Sequence, residues 1–278
     1  MRIQFLPYHD FIGGSLDNAT STHYSDQWSS ERGMGKFMLT TTAVDSTMQF
    51  VLGWRRLFDE ISGEAMKRPV SVYDAACGYG GILHALAAPF GSGSGSGKLT
   101  YVGADIREGL QEIELPTGVD AESIVFARHD ISEPLPLDMR FDYVVCRNAI
   151  HHTPDPRKTF ASLCHVLRPG GTIAISAYSK KAIMREVLDD ALRSMITEMS
   201  NDEALKVAAE FSELGKALRA IKEEVHIPRD LTFLGIEAGS HDVQTLIYNH
   251  VVKCWHNEAF GDERSDIVNF DWYHPPYA

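Results

Sequence analysis

The stretch from Ser71 to Tyr178 constrains the fold more than any other part of the chain, because short apolar runs alternate there with helical ones. "SVYDAAC" leads into "GGILHALAAPF". "LTYVGADI", "SIVFARHDI" and "FDYVVCRNAI" follow with polar stretches between them, and "DPRKTFASLCHVL", a "RPGG" turn and "TIAISAY" close the series. Each strand-like run is almost continuously apolar, the pattern of a strand covered on both faces. Strands that alternate with helices build right-handed βαβ crossovers and a parallel sheet. The expected fold class is α/β, a Rossmann-like doubly wound sheet, mostly parallel, with a helical N-terminal cap and a helical C-terminal insertion or lid.

The flanks set the domain division. In residues 1–70, "TAVDSTMQFVLGWRRLFDEIS" places Met48, Val51, Leu52, Leu57 and Ile61 at mostly helical spacing, which predicts a cap over the mouth of the sheet. Residues 71–180 form the core. Within it "GSGSGSG", Gly91 to Gly97, has the composition of a flexible linker and reads as an engineered replacement for a loop. Residues 181–278 form a substrate-side or lid region. It reads as helical over 181–235, with a helix start at Asn201 and Asp202, then a short helix and an irregular aromatic tail.

Composition narrows the partners. A formal net charge of −12 repels nucleic-acid phosphates and anionic membrane alike. The four cysteines, Cys77, Cys146, Cys164 and Cys254, show no zinc-knuckle spacing and suit reduced, buried thiols. No apolar run approaches the roughly 20 residues needed to span a membrane. The expectation is a soluble cytoplasmic protein, with no metal and no nucleic-acid or membrane partner.

The turn after the first core strand, "DAACGYGG", points to a ligand. In an open parallel sheet ligands bind beyond the carboxyl ends of the strands, where strand order reverses. Gly78 and Gly80 let backbone approach a ligand closely. A dinucleotide fits poorly: the glycine spacing fails in either register, and Asp74 would place a negative charge near a pyrophosphate. S-adenosylmethionine carries a sulfonium and an ammonium group and no phosphate, so the Asp74 carboxylate favours it. At the second strand end, Asp105 suits a ribose diol, and Ile106 can pack on the adenine face. At the third, Asp130 offers an acceptor for the adenine amino group, with Ile131 beside the ring.

Assembled in this order, the residues resemble a class I S-adenosylmethionine-dependent methyltransferase. "VYDAACGYGG" is similar to the first motif of that family, with Ala76 where glycine is usual, and "FDYVVCRNAIHHTPDPRKTFASLCHVLRPGGTIAISAY" is similar to its fourth and fifth. The resemblance implies that Asp74, Ala76, Gly78 and Gly80 cradle the cofactor. It implies that Cys146 and Asn148 line its methionine part through backbone groups, and that Tyr24 and Trp28 close over it. His151 and His152 are the catalytic candidates, one as a base, although a structural role suits this His-His pair better. Being adjacent, they are expected to point in different directions. Tyr178, His256 and Tyr273 are the candidate substrate residues, with Asn257, Trp272 and His274 as further aromatic or hydrogen-bonding groups. The family's sheet normally closes with a C-terminal antiparallel strand pair. No such pair is evident before Ala278, so either the N-terminal "MRIQFLP" joins the sheet from the other end, or the sheet is incomplete, or the sequence is truncated or rearranged; the first is the expectation. The expected activity is in-line methyl transfer to a small-molecule acceptor. The alternatives are a binding protein of the same fold without transfer, or an RNA or protein methyltransferase. Residues 181–235 offer a lid or a homodimer surface.

Overall fold

The computed structural model describes residues 4–6, 52–90, 98–177, 181–258 and 261–274. Tyr24, Trp28, Met48, Val51, Tyr178 and the Gly91–Gly97 run lie outside these residues. The chain divides into two compact units, Met1–Tyr178 and Ser179–Ala278.

In the first unit, β1 (Gln4–Leu6), β2 (Val70–Ala75), β3 (Leu99–Asp105), β4 (Ile124–Arg128), β5 (Phe141–Arg147) and β6 (Leu167–Ser176) form one parallel sheet. Its order is β1-β4-β3-β2-β5-β6. From β2 the chain steps outward through β3 to β4, then returns across β2 to lay β5 on the other side. That reversal opens a crevice at the carboxyl ends of β2 and β5. The N-terminal strand expected to join the sheet does so, along β4, in the register Gln4↔Val125 to Leu6↔Ala127.

Both faces of the sheet are buried, which explains the continuous apolar runs. Val72, Tyr101 and Tyr143 are register partners and share one face. That face packs under α1 (Leu52–Ala65) and α2 (Gly81–Ala87) through Trp54, Phe58, Ile61, Leu83 and Leu86. Trp54, Phe58, Ile61 and Ala65 form one stripe of α1 at helical spacing. The described part of the expected cap is therefore a layer helix of the core, and the rest of it lies outside the described residues. The opposite face holds Tyr73, Val102, Phe141, Val144 and Cys146 against Leu163 of α3 (Pro156–His165). At the amino ends of β2 and β5, Asp142 accepts the Ser71 N–H at 2.8 Å and pairs with Arg68 and Arg168 at 3.3 and 3.1 Å. This pins the two strands at the end away from the crevice.

The second unit contains α4 (Ile183–Ile196), α5 (Asn201–Ala220), β7 (Glu224–Ile227), β8 (Gly239–Asp242), α6 (Val243–His250) and α7 (Gly261–Tyr273). Two expectations change here. Helix does not continue to residue 235: it stops at Ala220, and β7 and β8 pair antiparallel in a ladder of their own. The aromatic tail is not irregular either, because "NFDWY" closes the 13-residue helix α7. The helix expected from Asn201 is capped one residue earlier, by Ser200 and Glu203 in a reciprocal capping box. Its Gly215 permits close approach of the Cys254 backbone: a Cβ there would clash with the Cys254 carbonyl oxygen.

Candidate functional site

The crevice is built from the carboxyl ends of β2, β3 and β5. Asp74 is fully buried on the face it shares with Tyr101 and Val145. Its Oδ2 accepts the Tyr101 hydroxyl at 2.6 Å. Its Oδ1 is buried and has no hydrogen-bond partner among the described residues. Burial raises the carboxyl to a pKa of about 7, and the nearby Asp105 charge adds to this. The Tyr101 hydrogen bond and the Arg147 charge pull the other way. A buried carboxylate with one spare oxygen is costly in isolation and is relieved by a cation.

Beyond Asp74 the backbone turns into the left-handed region at Ala76 (φ 67°), Gly78 (φ 54°) and Gly80 (φ 73°). Glycine adopts that region freely. Ala76 does so under strain, consistent with its standing where the resemblance expects glycine. Apart from its chain neighbours, no described residue has an atom within 4 Å of where a Gly78 Cβ would stand. At Gly80 a Cβ would meet Ile113 at 3.0 Å.

Asp105 ends β3, buried, and holds this turn. Its Oδ2 accepts the Gly78 N–H at 2.8 Å and its Oδ1 accepts the Arg107 N–H at 3.0 Å. A carboxylate has about four acceptor sites, so these bonds leave lone pairs for a diol. Arg107, which sequence reasoning missed, completes the turn. Its Nε donates to the Gly78 carbonyl at 3.0 Å and its Nη1 to the Glu108 carbonyl at 2.7 Å, while its guanidinium lies 3.9 Å over the Tyr79 ring. Both ends of Gly78 are thus tied to the end of β3. The Arg107 Nη2 is buried with no hydrogen-bond partner among the described residues.

The other expected site residues are placed as follows. Ile106 is half-buried just past β3. Asp130 is half-buried past β4, and its Oδ1 accepts the Ser132 N–H at 2.8 Å in a local turn. Ile131 is buried in the core on the α3 face of the sheet. Cys146 is fully buried, and burial, followed by the Asp74 charge, raises its thiol to about 12, so it stays protonated near neutral pH. Asn148 follows β5 in the left-handed region at φ 53°. Its N–H donates to the Ser176 carbonyl and hydroxyl at 3.1 and 3.0 Å, and the Ser176 hydroxyl donates to its Oδ1 at 2.6 Å. His151 and His152 share a short 3₁₀ turn, Ile150–His152. Their rings do not diverge as expected: the centroids are 4.1 Å apart, with the ring planes tilted by 44°.

Two expected substrate residues lie within the second unit's interior. Tyr273 is 1% exposed, and its single hydroxyl proton is shared between the Lys253 carbonyl at 2.9 Å and Asp189 at 3.2 Å. Trp272 Nε1 donates to the same Asp189, which also pairs with buried Arg185 at 3.0 Å. His256 is 2% exposed and pairs with Asp262 at 3.0 Å. Both side chains are bonded to partners within this unit.

Among the described residues, no group of three or more His, Cys, Asp or Glu side chains is placed to hold a metal, and no helix is long and apolar enough to cross a membrane. The donor set of the crevice suits a cationic nucleoside instead. It combines a buried carboxylate with a spare oxygen, a second carboxylate on a glycine turn, and backbone open to close approach.

Comparison with known proteins agrees with this reading. Residues 67–221 match the methyltransferase-domain family. A ubiquinone biosynthesis O-methyltransferase of Pseudomonas entomophila (strain L48) is 30% identical over 113 residues, covering 39% of this chain and 44% of that protein. Phosphoethanolamine N-methyltransferase 2 of Caenorhabditis elegans is 44% identical over 43 residues, covering 16% of this chain and 10% of that protein. The matched region thus spans less than half the length of these curated relatives. Among solved structures, a S-adenosylmethionine-dependent methyltransferase from Clostridium acetobutylicum ATCC 824 is 20% identical with a TM-score of 0.33, covering 44% of this chain and 48% of that one.

Proposed function

We propose that this chain, which belongs to the methyltransferase-domain family of class I, S-adenosylmethionine-dependent enzymes, transfers the methyl group of S-adenosylmethionine to a small-molecule acceptor. The observation that carries the reading is Asp74: a fully buried carboxylate with an unused oxygen at the point where strand order reverses. A phosphate-bearing cofactor would be repelled there, and a cationic one is held.

The bound cofactor supplies a methyl carbon already activated by its sulfonium. The chain's own task is mainly to align the acceptor and exclude water, since alignment alone lowers such barriers substantially. In this reading Asp74 faces the cationic end of the cofactor, and Asp105 takes the ribose hydroxyls on the lone pairs that Gly78 and Arg107 leave free. Asp130 and Ile106 border the adenine. Cys146 and Asn148 contribute backbone groups. An acceptor that must lose a proton has the imidazoles of His151 and His152 within the same strand-end segment, and an acceptor that is already nucleophilic needs neither. The curated relatives named above include an O-methyltransferase and an N-methyltransferase, which supports a small acceptor without choosing its atom.

The test is calorimetry with S-adenosylmethionine, followed by transfer of labelled methyl into panels of phenols, quinols and amines. Binding with labelled product in one panel is the expected result. Binding with no product in any panel would favour a sensing protein, and tighter binding of a nicotinamide dinucleotide would overturn the assignment.

A further inference from the structure

Arg147 is the last residue of β5. Asp74 and Val145 are register partners, and side chains two apart on a strand share a face, so Arg147 rises on the same face as Asp74. It stands one pleat further toward the crevice, about 7 Å along the strand direction on the neighbouring strand. It is half-buried, and beyond the Asp74 charge its side chain has no hydrogen bond or ion pair with any described residue. Burial holds the guanidinium below its ordinary pKa, and Asp74 is the charge that opposes this. Two opposite charges thus flank the strand reversal, each incompletely satisfied and not bonded to each other. Arginine is costly to bury without a planar anion to meet its fork of donors.

We propose that Asp74 and Arg147 together form a receptor for an α-amino-acid zwitterion, with Arg147 binding the carboxylate of the cofactor's amino-acid end. The inference rests on the S-adenosylmethionine reading and goes further, assigning a recognition role to a residue outside the glycine turn. A carboxylate accepts two parallel N–H bonds from a guanidinium, and such pairs are specific as well as strong. Asp74 supplies the complementary site for the ammonium group. A ligand with one charge and not the other leaves one partner unmatched, so the pair selects for the zwitterion.

The test compares S-adenosylmethionine with its decarboxylated analogue, which keeps the sulfonium, the amine and the nucleoside. Binding of each to the full chain is measured by calorimetry, for the wild type and for Arg147→Met and Arg147→Lys. The wild type is expected to prefer the carboxylated ligand. Arg147→Met is expected to weaken S-adenosylmethionine binding about 10- to 100-fold, the range for losing charge-assisted hydrogen bonds. The same variant should change binding of the decarboxylated ligand by less than about twofold, since that ligand lacks the group in question. Arg147→Lys should recover part of the preference, because it restores the charge without the fork. Equal loss for both ligands would mean that Arg147 acts on the fold, and no loss for either would mean that it does not touch the cofactor. Either result overturns the proposal, as does a change confined to the KM of the methyl acceptor. A wild type that binds neither ligand would instead sink the methyltransferase reading beneath it.

Discussion

Replacing Asp74 by asparagine should stabilise the ligand-free protein while weakening its hold on the cofactor. The wild-type carboxyl titrates near 7 in the folded state against 3.8 as a free group, chiefly through burial. An acid raised in this way costs nothing at a pH below both values. Its cost grows as pH rises from about 4 to 7 and is constant above. The full penalty is about 4 kcal/mol at pH 8, falling to about 2 kcal/mol at pH 5. Asparagine removes this charge and can still accept the Tyr101 hydroxyl. Its amide leaves an N–H₂ group to satisfy, which takes back about 1–3 kcal/mol. The net gain at pH 8 is therefore about 1–3 kcal/mol, a rise of a few degrees in Tm that shrinks on acidification. Cofactor binding should move the other way. The ionised carboxylate is what meets the cation, and at pH 6 only about a tenth of it is ionised. Wild-type affinity should thus fall about tenfold between pH 8 and pH 6, with close to one proton released per ligand bound at the lower pH. Asp74→Asn should bind more weakly and lose that proton release. Calorimetry in two buffers of different ionisation enthalpy counts the protons, and thermal melts at pH 8 and pH 5 give the stability arm. A variant that is less stable at both pH values, or wild-type binding that ignores pH, would refute the electrostatic account.

Three further substitutions follow from the same geometry. Asp105→Ala should weaken S-adenosylmethionine binding by about 1–3 kcal/mol, because it removes acceptors for the ribose and frees the Gly78 N–H; unchanged affinity in a titration would remove its ribose role. His151→Ala and His152→Ala should each lower kcat modestly, whereas a fall of about 10³-fold with intact cofactor binding would identify a base. Gly215→Ala should destabilise the second unit by about 3 kcal/mol, since the added Cβ meets backbone and not a side chain that could move aside. A variant with an unchanged urea midpoint would show that α5 does not pack as closely on Cys254 as described.

The parallel sheet was legible because burial on both faces leaves unbroken apolar runs, and the glycine turn because left-handed backbone demands small residues. Asp74 and Asp105 could be read from their place at strand ends. Arg107 and Arg147 could not. Each gains its significance from what stands across a strand boundary, and that depends on register, which apolar runs do not encode. In the second unit, "EVHI" and "GSHD" gave no strand signal because their ladder is largely exposed and polar. Helix α7 was hidden for a different reason: Arg264, Asn269 and Trp272 are buried on it beside Ile267 and Phe270, so no apolar stripe stands out. The tail aromatics resemble a binding pocket in composition. In the structure Trp272 and Tyr273 both contact Asp189, 83 and 84 residues away, which a local reading of the tail does not reveal.

Backbone strain marks the crevice independently of any charge. Among the described residues only two non-glycine residues adopt positive φ, Ala76 and Asn148. Each directly follows the last residue of one of the two strands that flank the reversal, β2 and β5. Left-handed backbone costs a residue with a side chain about 1–2 kcal/mol, so it persists only where neighbours enforce it. The enforcement comes from outside the crevice in both cases. The N–H groups of Ala76 and Cys77 converge on the Ala104 carbonyl of β3 at 2.8 and 2.9 Å, and Asn148 is tied to Ser176 of β6. The two walls are therefore braced by the strands behind them and do not depend on a ligand to order them, which lowers the cost of binding.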